Sequence, residues 1–137
     1  MRHSSNLLIV LACAATIRAA DIKVIANSNV GASALSAEEL KGVFLGTKTS
    51  LSNGSHVAPV LLKSGPVHEA FLKEYVGKSD SALITYYRSL VFTGKGTIPK
   101  TFASDAEVVS FVGKTKGAIG YVGAGASTAS VRTLAVR

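Results

Sequence analysis

The sequence predicts an α/β fold, and three observations carry that prediction. Apolar segments at 22–26, 57–62 and 117–122 alternate with stretches whose apolar residues recur at helical spacing. Two Ser-x-x-Glu helix-start signatures stand at 36–39 and 104–107. Glycine, proline and asparagine punctuate the joints between these segments.

In chain order, residues 22–26 are β-rich and apolar and predict a buried opening strand. Residues 27–34 are small and polar, a loop. Ser36 then caps a helix in which Glu39 is expected to reach back, with Leu40, Val43 and Phe44 on one face and Gly46 as its stop. Asn53 and Gly54 form a tight-turn pair. Residues 57–62 predict a second strand, and Pro59 gives it an irregular or edge start. Pro66 suits the first turn of a helix that carries Val67, Ala70, Phe71 and Tyr75 at helical spacing and ends at Gly77. Ser79 and Asp80 open another helix through Leu83, Tyr86, Tyr87 and Leu90. Residues 93–97 are a polar glycine loop. Ser104 opens a helix through Val108, Val109, Phe111 and Val112; residues 117–122 are a short buried strand, 123–130 a loop, and 131–136 a closing strand.

The chain of 137 residues supports one domain. With 47% hydrophobic and 17% charged residues and a mean hydropathy of +0.35, it is too apolar for a disordered chain. There is no Trp and only 7% aromatic content, which argues against a base-stacking nucleic-acid module. Residues 1–20 read as a signal peptide: Arg2 and His3 precede the apolar run 7–15, and small residues lead to Ala19 and Ala20. Two alternatives remain for this segment, acylation at Cys13 and a retained N-terminal anchor. Cleavage leaves 21–137 as a single domain, periplasmic or secreted, with no apolar run long enough to span a membrane. Losing Arg2 and Arg18 takes 15 basic residues to 13 against 8 acidic, a formal charge of +5, and also removes the single cysteine. The basic balance suits small anions or acidic surfaces.

Motifs for catalysis and metal binding break off. His68-Glu69 opens like a zinc-protease helix, but Leu72 stands where the second histidine belongs, so His68 is expected to be an exposed helix residue. Gly113-Lys114-Thr115 lacks the leading glycine of a phosphate loop, Val108 standing in its place. Gly123-Ala124-Gly125 lacks the third glycine of a dinucleotide fingerprint, and Ser33 lacks the closing glycine of a nucleophile elbow. With no nucleophile–base pair, the reading is not an enzyme, with no catalytic residue, metal site or cofactor.

The segment that suits a ligand is 63–66. A strand running into a helix start presents free backbone N–H groups and a positive dipole end, which favours phosphate, sulfate or carboxylate. Lys63 adds charge, Ser64 a hydroxyl, and Gly65 permits close approach. The plainer alternative is that Ser64 merely caps the helix. Thr93, Gly94 and Lys95 form a second loop able to approach an anion.

The ordered set of segments also resembles a known family. Leu35-Ser36-Ala37-Glu38-Glu39-Leu40 with Val43-Phe44-Leu45-Gly46, then Asn53-Gly54, Pro59-Val60, Ser64-Gly65 and Phe71, then Ser104-Asp105-Ala106-Glu107-Val108-Val109 and Gly117-Ala118-Ile119-Gly120-Tyr121-Val122, is similar to phosphate ABC-transporter substrate-binding proteins. The resemblance implies a single lobe of a type II periplasmic-binding-protein-like fold, a mixed sheet flanked by helices, matching the family's second lobe. It implies that the family's Ser-Gly-Thr phosphate loop falls on Ser64-Gly65-Pro66. Pro66 lacks both the threonine hydroxyl and an N–H, the family's upstream arginine is absent with Lys63 nearest to it, and Leu51 stands near the place of a family tryptophan. The candidate ligand-binding set is therefore Lys63, Ser64, Gly65, Val67, Thr93, Gly94 and Lys95. The implied function is a solute-binding module for phosphate or a similar oxyanion, bound weakly because one lobe cannot clamp an ion from both sides. The implied partners are that anion and an ABC permease or another envelope protein. The alternative is a structural or protein-interaction module that kept the lobe and lost its ligand, with Val67 or a tyrosine surface as a homodimer face.

Overall fold

The computed structural model describes residues 21–137. The expected signal segment 1–20, with Cys13, lies outside the described residues. In chain order the elements are β1 (Ile22–Ala26), β2 (Ala34–Leu35), α1 (Ala37–Phe44), β3 (Ala58–Leu62), α2 (Pro66–Phe71) running on through a π turn (Leu72–Val76), α3 (Asp80–Phe92), β4 (Lys100–Phe102), α4 (Asp105–Lys114), β5 (Ala118–Gly123) and β6 (Arg132–Val136).

The six strands form one mixed sheet in the order β2-β6-β1-β5-β3-β4. β1 pairs antiparallel with β5 and β6, whereas β3 pairs parallel with β5 and β4, and β2 parallel with β6. β1 thus runs against the other five strands. The carboxyl ends of β3, β4 and β5 consequently lie at one edge of the sheet. Pro59 fits β3 because pairing with β4 begins only at Val60, so the missing N–H falls before that ladder starts.

Residues 118–122 are all buried, an unbroken apolar run because helices cover both faces of this strand. Side chains alternate between the faces. At Gly120 the sheet meets Val108 and Val112 of α4. At Tyr121 it meets the opposite layer, where the Tyr121 ring stacks on Phe71 with centroids 3.7 Å apart and Phe44 packs edge-on to Phe71 at 4.8 Å. Phe44, Phe71 and Tyr121 are completely buried. The Tyr87 hydroxyl donates to the Phe44 carbonyl at 2.6 Å and the Tyr86 hydroxyl to the Leu45 carbonyl at 2.5 Å, which holds α3 to the end of α1. Of the tyrosines expected to offer a dimer face, Tyr87 and Tyr121 are buried, and Tyr75 and Tyr86 half-buried.

Three serine caps form where the sequence places them. Ser36 Oγ accepts from Glu39 N–H at 3.0 Å, Ser79 Oγ from Ala82 N–H at 3.3 Å, and Ser104 Oγ from Glu107 N–H at 3.2 Å. The reciprocal half of each capping box differs from expectation. Glu107 Oε2 accepts from Ala103 N–H at 2.9 Å, one residue before the cap. Glu39 does not reach back; its Oε2 is enclosed without a hydrogen-bond partner. The helix from Pro66 does end at Gly77, but its last turn widens so that Gly77 N–H reaches the Leu72 carbonyl at 2.7 Å. Two short strands were not expected: β2 starts at the end of the loop expected over 27–34, and β4 falls between the 93–97 loop and Ser104, where the sequence assigns no element. β2 is two residues paired to β6, and β4 is a three-residue edge strand with Lys100 and Thr101 exposed.

Gly117, which leads into β5, has φ +78°, and a Cβ there would sit 2.8 Å from the His56 carbonyl oxygen. Gly117→Ala therefore combines backbone strain with a clash against main chain that cannot swing away. The variant is expected to lose about 1–3 kcal/mol. A lower urea midpoint at unchanged slope is the result that checks it.

Candidate functional site

The carboxyl edge of β3, β4 and β5 is where an open α/β sheet places a ligand. Two helices start there. β3 passes through Lys63, Ser64 and Gly65 into α2, and β4 passes through Ala103 and Ser104 into α4. The Lys63 N–H donates to the Phe102 carbonyl at 2.8 Å and extends the β3–β4 pairing. Asp105 Oδ2 accepts from Gly123 N–H at 3.2 Å and ties the first turn of α4 to the end of β5.

The α2 entrance differs from the other three. Its N-cap is Gly65, with φ 103° and ψ 173°, a conformation essentially confined to glycine, and no side chain caps it. The plain reading of Ser64 as the cap therefore fails: Gly65 takes that place because only glycine turns the chain this way, and Ser64 stands one residue outside. Pro66 at the first helical position supplies no N–H, so the donors of the first turn come from Val67 and His68. Lys63 and Ser64 are exposed; Gly65 and Val67 are half-buried. These four candidate residues are brought together in one turn.

Thr93, Gly94 and Lys95 are not brought to them. Thr93 Oγ1 donates to the Ser89 carbonyl at 2.9 Å and closes α3. Lys95 lines a cavity together with Val57 and Ala58, at the start of β3. The five-residue strand, roughly 16 Å long, separates that end from Ser64.

Directly inside the α2 entrance lies a polar chain that the sequence did not reveal. His68, expected to be exposed, is buried at 3% exposure. Its Nδ1 contacts the Tyr121 hydroxyl, and its Nε2 lies 2.8 Å from Asp80 Oδ1 at the start of α3. The Tyr121 oxygen also accepts from the Leu62 N–H at 3.2 Å. Proton bookkeeping fixes the directions. The Asp80 carboxylate can only accept, so His68 Nε2–H donates to it; in the neutral ring Nδ1 is then the acceptor and takes the Tyr121 O–H. Burial pushes the Tyr121 hydroxyl far above the usual phenol range; the Leu62 N–H pulls it partly back, and Tyr87 and Asp80 add to the rise. It therefore stays protonated and stays a donor. Taking Val67, Ala70, Phe71 and Tyr75 as the apolar stripe of α2 includes one of its buried residues, Phe71, but leaves His68 outside it. His68, Phe71, Leu72 and Val76, at offsets of three, four and eight, make the more apolar stripe and are the buried ones. Among the described residues no group of three His, Cys, Asp or Glu side chains is placed to hold a metal ion.

Comparison with solved structures agrees with this architecture. A protein from Clostridium perfringens, assigned as a phosphate ABC transporter substrate-binding protein and solved with bound phosphate, superposes with a TM-score of 0.67 at 19% identity over 85% of this chain and 44% of its own. This chain has the fold of one periplasmic-binding-protein lobe. An ABC-type phosphate transport receptor from Vibrio cholerae matches the lobe with a TM-score of 0.65 at 16% identity, covering 85% of this chain and 46% of its own. PstS from Borrelia burgdorferi matches at 0.59 and 16%, over 85% and 47%. The lobe spans less than half the length of these structures. No family model matches the sequence, and no curated protein matches it.

Two predictions follow from the buried chain. Tyr121→Phe strands the buried Leu62 N–H and His68 Nδ1 while keeping the ring stack, so it is expected to cost about 2 kcal/mol, read from urea unfolding. Burial also raises Tyr87, with Tyr86 adding to it, and raises Tyr75. Raised phenols keep their protons in the folded state after the unfolded chain has lost them. Stability is therefore unaffected by these groups below about pH 10 and falls above it. An ultraviolet phenolate titration should show Tyr87 and Tyr121 ionising only with unfolding.

Proposed function

We propose that this chain is a periplasmic or secreted solute-binding lobe that takes phosphate or a similar oxyanion, weakly, at the α2 entrance, and is not an enzyme. The reading includes removal of 1–20 as a signal peptide, leaving 21–137 as the working domain. The observation that carries it is the uncapped start of α2 at the carboxyl edge of parallel strands, in a fold shared with proteins described as phosphate-binding. Val67 and His68 N–H groups would donate to the anion, Ser64 would add its hydroxyl, and Lys63 would add charge. Gly65, without a side chain, leaves the approach open.

Several features argue for low affinity. α2 is only six residues long, Pro66 removes one donor, and the Asp105 carboxylate belongs to the neighbouring helix start. Lys63 and Ser64 face solvent, so water and salt compete for both partners. A tight complex requires an opposing face, supplied by another chain. An ABC permease is the partner that the fold's relatives suggest.

Isothermal titration of the full-length chain against phosphate and sulfate tests the proposal. Binding in the millimolar range is expected, and Lys63→Ala and Ser64→Ala should each weaken it by roughly threefold to tenfold without unfolding the lobe. A folded sample that gives no heat with either anion, or variants that bind as the parent does, would overturn it.

A further inference from the structure

The far edge of the sheet holds a second concavity, remote from the α2 entrance. Its volume is about 420 Å³, within the size range of small-molecule sites. The floor is core: Val57, Val60, Phe44 and Tyr87 are all buried. Leu90 and Phe111 form half-buried walls, and the exposed Ile98 overhangs the opening. The Tyr87 hydroxyl is committed to the Phe44 carbonyl, so its ring adds apolar surface rather than a free donor. Three lysines, Lys48, Lys95 and Lys100, line the same cavity, and no aspartate or glutamate does. The Lys100 ammonium is held 5.0 Å from the Phe111 ring centroid, which places a cation against an apolar wall.

An apolar interior whose charged lining residues are all lysines suits a ligand with a hydrocarbon body and a single anionic head. We propose that this cavity binds a medium-chain alkyl or aryl-alkyl carboxylate, with the hydrocarbon against Phe44, Leu90 and Phe111 and the carboxylate among Lys48, Lys95 and Lys100. The burial drives affinity and the lysines select charge. A neutral alcohol of equal length keeps the first contribution and loses the second. A cationic amphiphile meets repulsion. Each additional buried methylene raises affinity about fourfold, so lengthening the chain by two carbons raises it by about fifteenfold until the cavity is full. This site is independent of the oxyanion proposal, because β3 separates the two.

The test is a titration of the ¹⁵N-labelled full-length chain with octanoate, decanoate, decan-1-ol and decyltrimethylammonium, each below its aggregation concentration. Decanoate is expected to give saturable amide shifts at Leu90, Gly96, Ile98 and Phe111, with Gly65 unmoved. Octanoate should bind about fifteenfold more weakly, and decanol about tenfold more weakly or worse. Lys95→Glu combined with Lys100→Glu should bring decanoate down to the level of decanol. Unchanged core amides at Ala26 and Ile119 would show that the variant is folded. Absence of saturable shifts at the cavity, equal affinity for decanoate and decanol, or undiminished decanoate binding by the folded variant would each overturn the proposal. Phosphate binding at Gly65 bears on the other site alone.

Discussion

One phenolic oxygen joins four elements of this lobe. Tyr121 on β5 accepts from the Leu62 N–H on β3 and donates to His68 on α2, whose other ring nitrogen donates to Asp80 at the head of α3. The same tyrosine stacks on Phe71, so a single side chain makes both a polar and an apolar contact to α2. An unpaired buried donor or acceptor costs about 1–3 kcal/mol, which makes every link of this chain hard to break alone. The position of α2 over the sheet, and with it the position of its entrance, follows from that constraint.

The sheet supplies the other half of the arrangement. Because β3, β4 and β5 run parallel, the segments leaving them emerge at one edge, and α2 and α4 start side by side there. α4 arrives with its Glu107 N–H engaged by Ser104 and with the Asp105 carboxylate committed to the Gly123 N–H. α2 arrives with glycine at its cap. The difference between the two entrances comes from a few residues: Ser64 stands one place too early to cap, and Gly65 takes a backbone conformation that a capping serine does not favour. The loop 93–97, at the opposite end of β3, instead lines the lysine-bearing cavity through Lys95, Gly96 and Thr97.

Much of this was legible in the sequence where local chemistry decides structure. Ser36, Ser79 and Ser104 mark three helix starts because a hydroxyl before an apolar period satisfies an orphan N–H, and Gly77 marks a helix stop because it turns left-handed. The apolar segments of β1, β3 and β5, interrupted in β1 only by Lys23, are central strands of the sheet. What escaped depends on tertiary pairing. β2 exists only because β6 lies beside it, and β4 carries exposed, polar residues with no strand period. His68 reads as polar until Tyr121 and Asp80, distant in sequence, are seen to bracket it. The candidate site was half legible: the turn 63–67 is contiguous in sequence, whereas the placement of Thr93, Gly94 and Lys95 depends on which end of β3 their loop meets.

On the function proposed above, the α2 entrance is open and polarised to receive an anion. A crystal structure of the full-length chain grown in phosphate tests it most directly. A tetrahedral ion is expected at the entrance, with the Val67 and His68 N–H groups and Ser64 Oγ at roughly 2.7–3.2 Å from its oxygens. An entrance filled by the molecule's own side chains, or an ion bound elsewhere while this turn stays vacant, would contradict it.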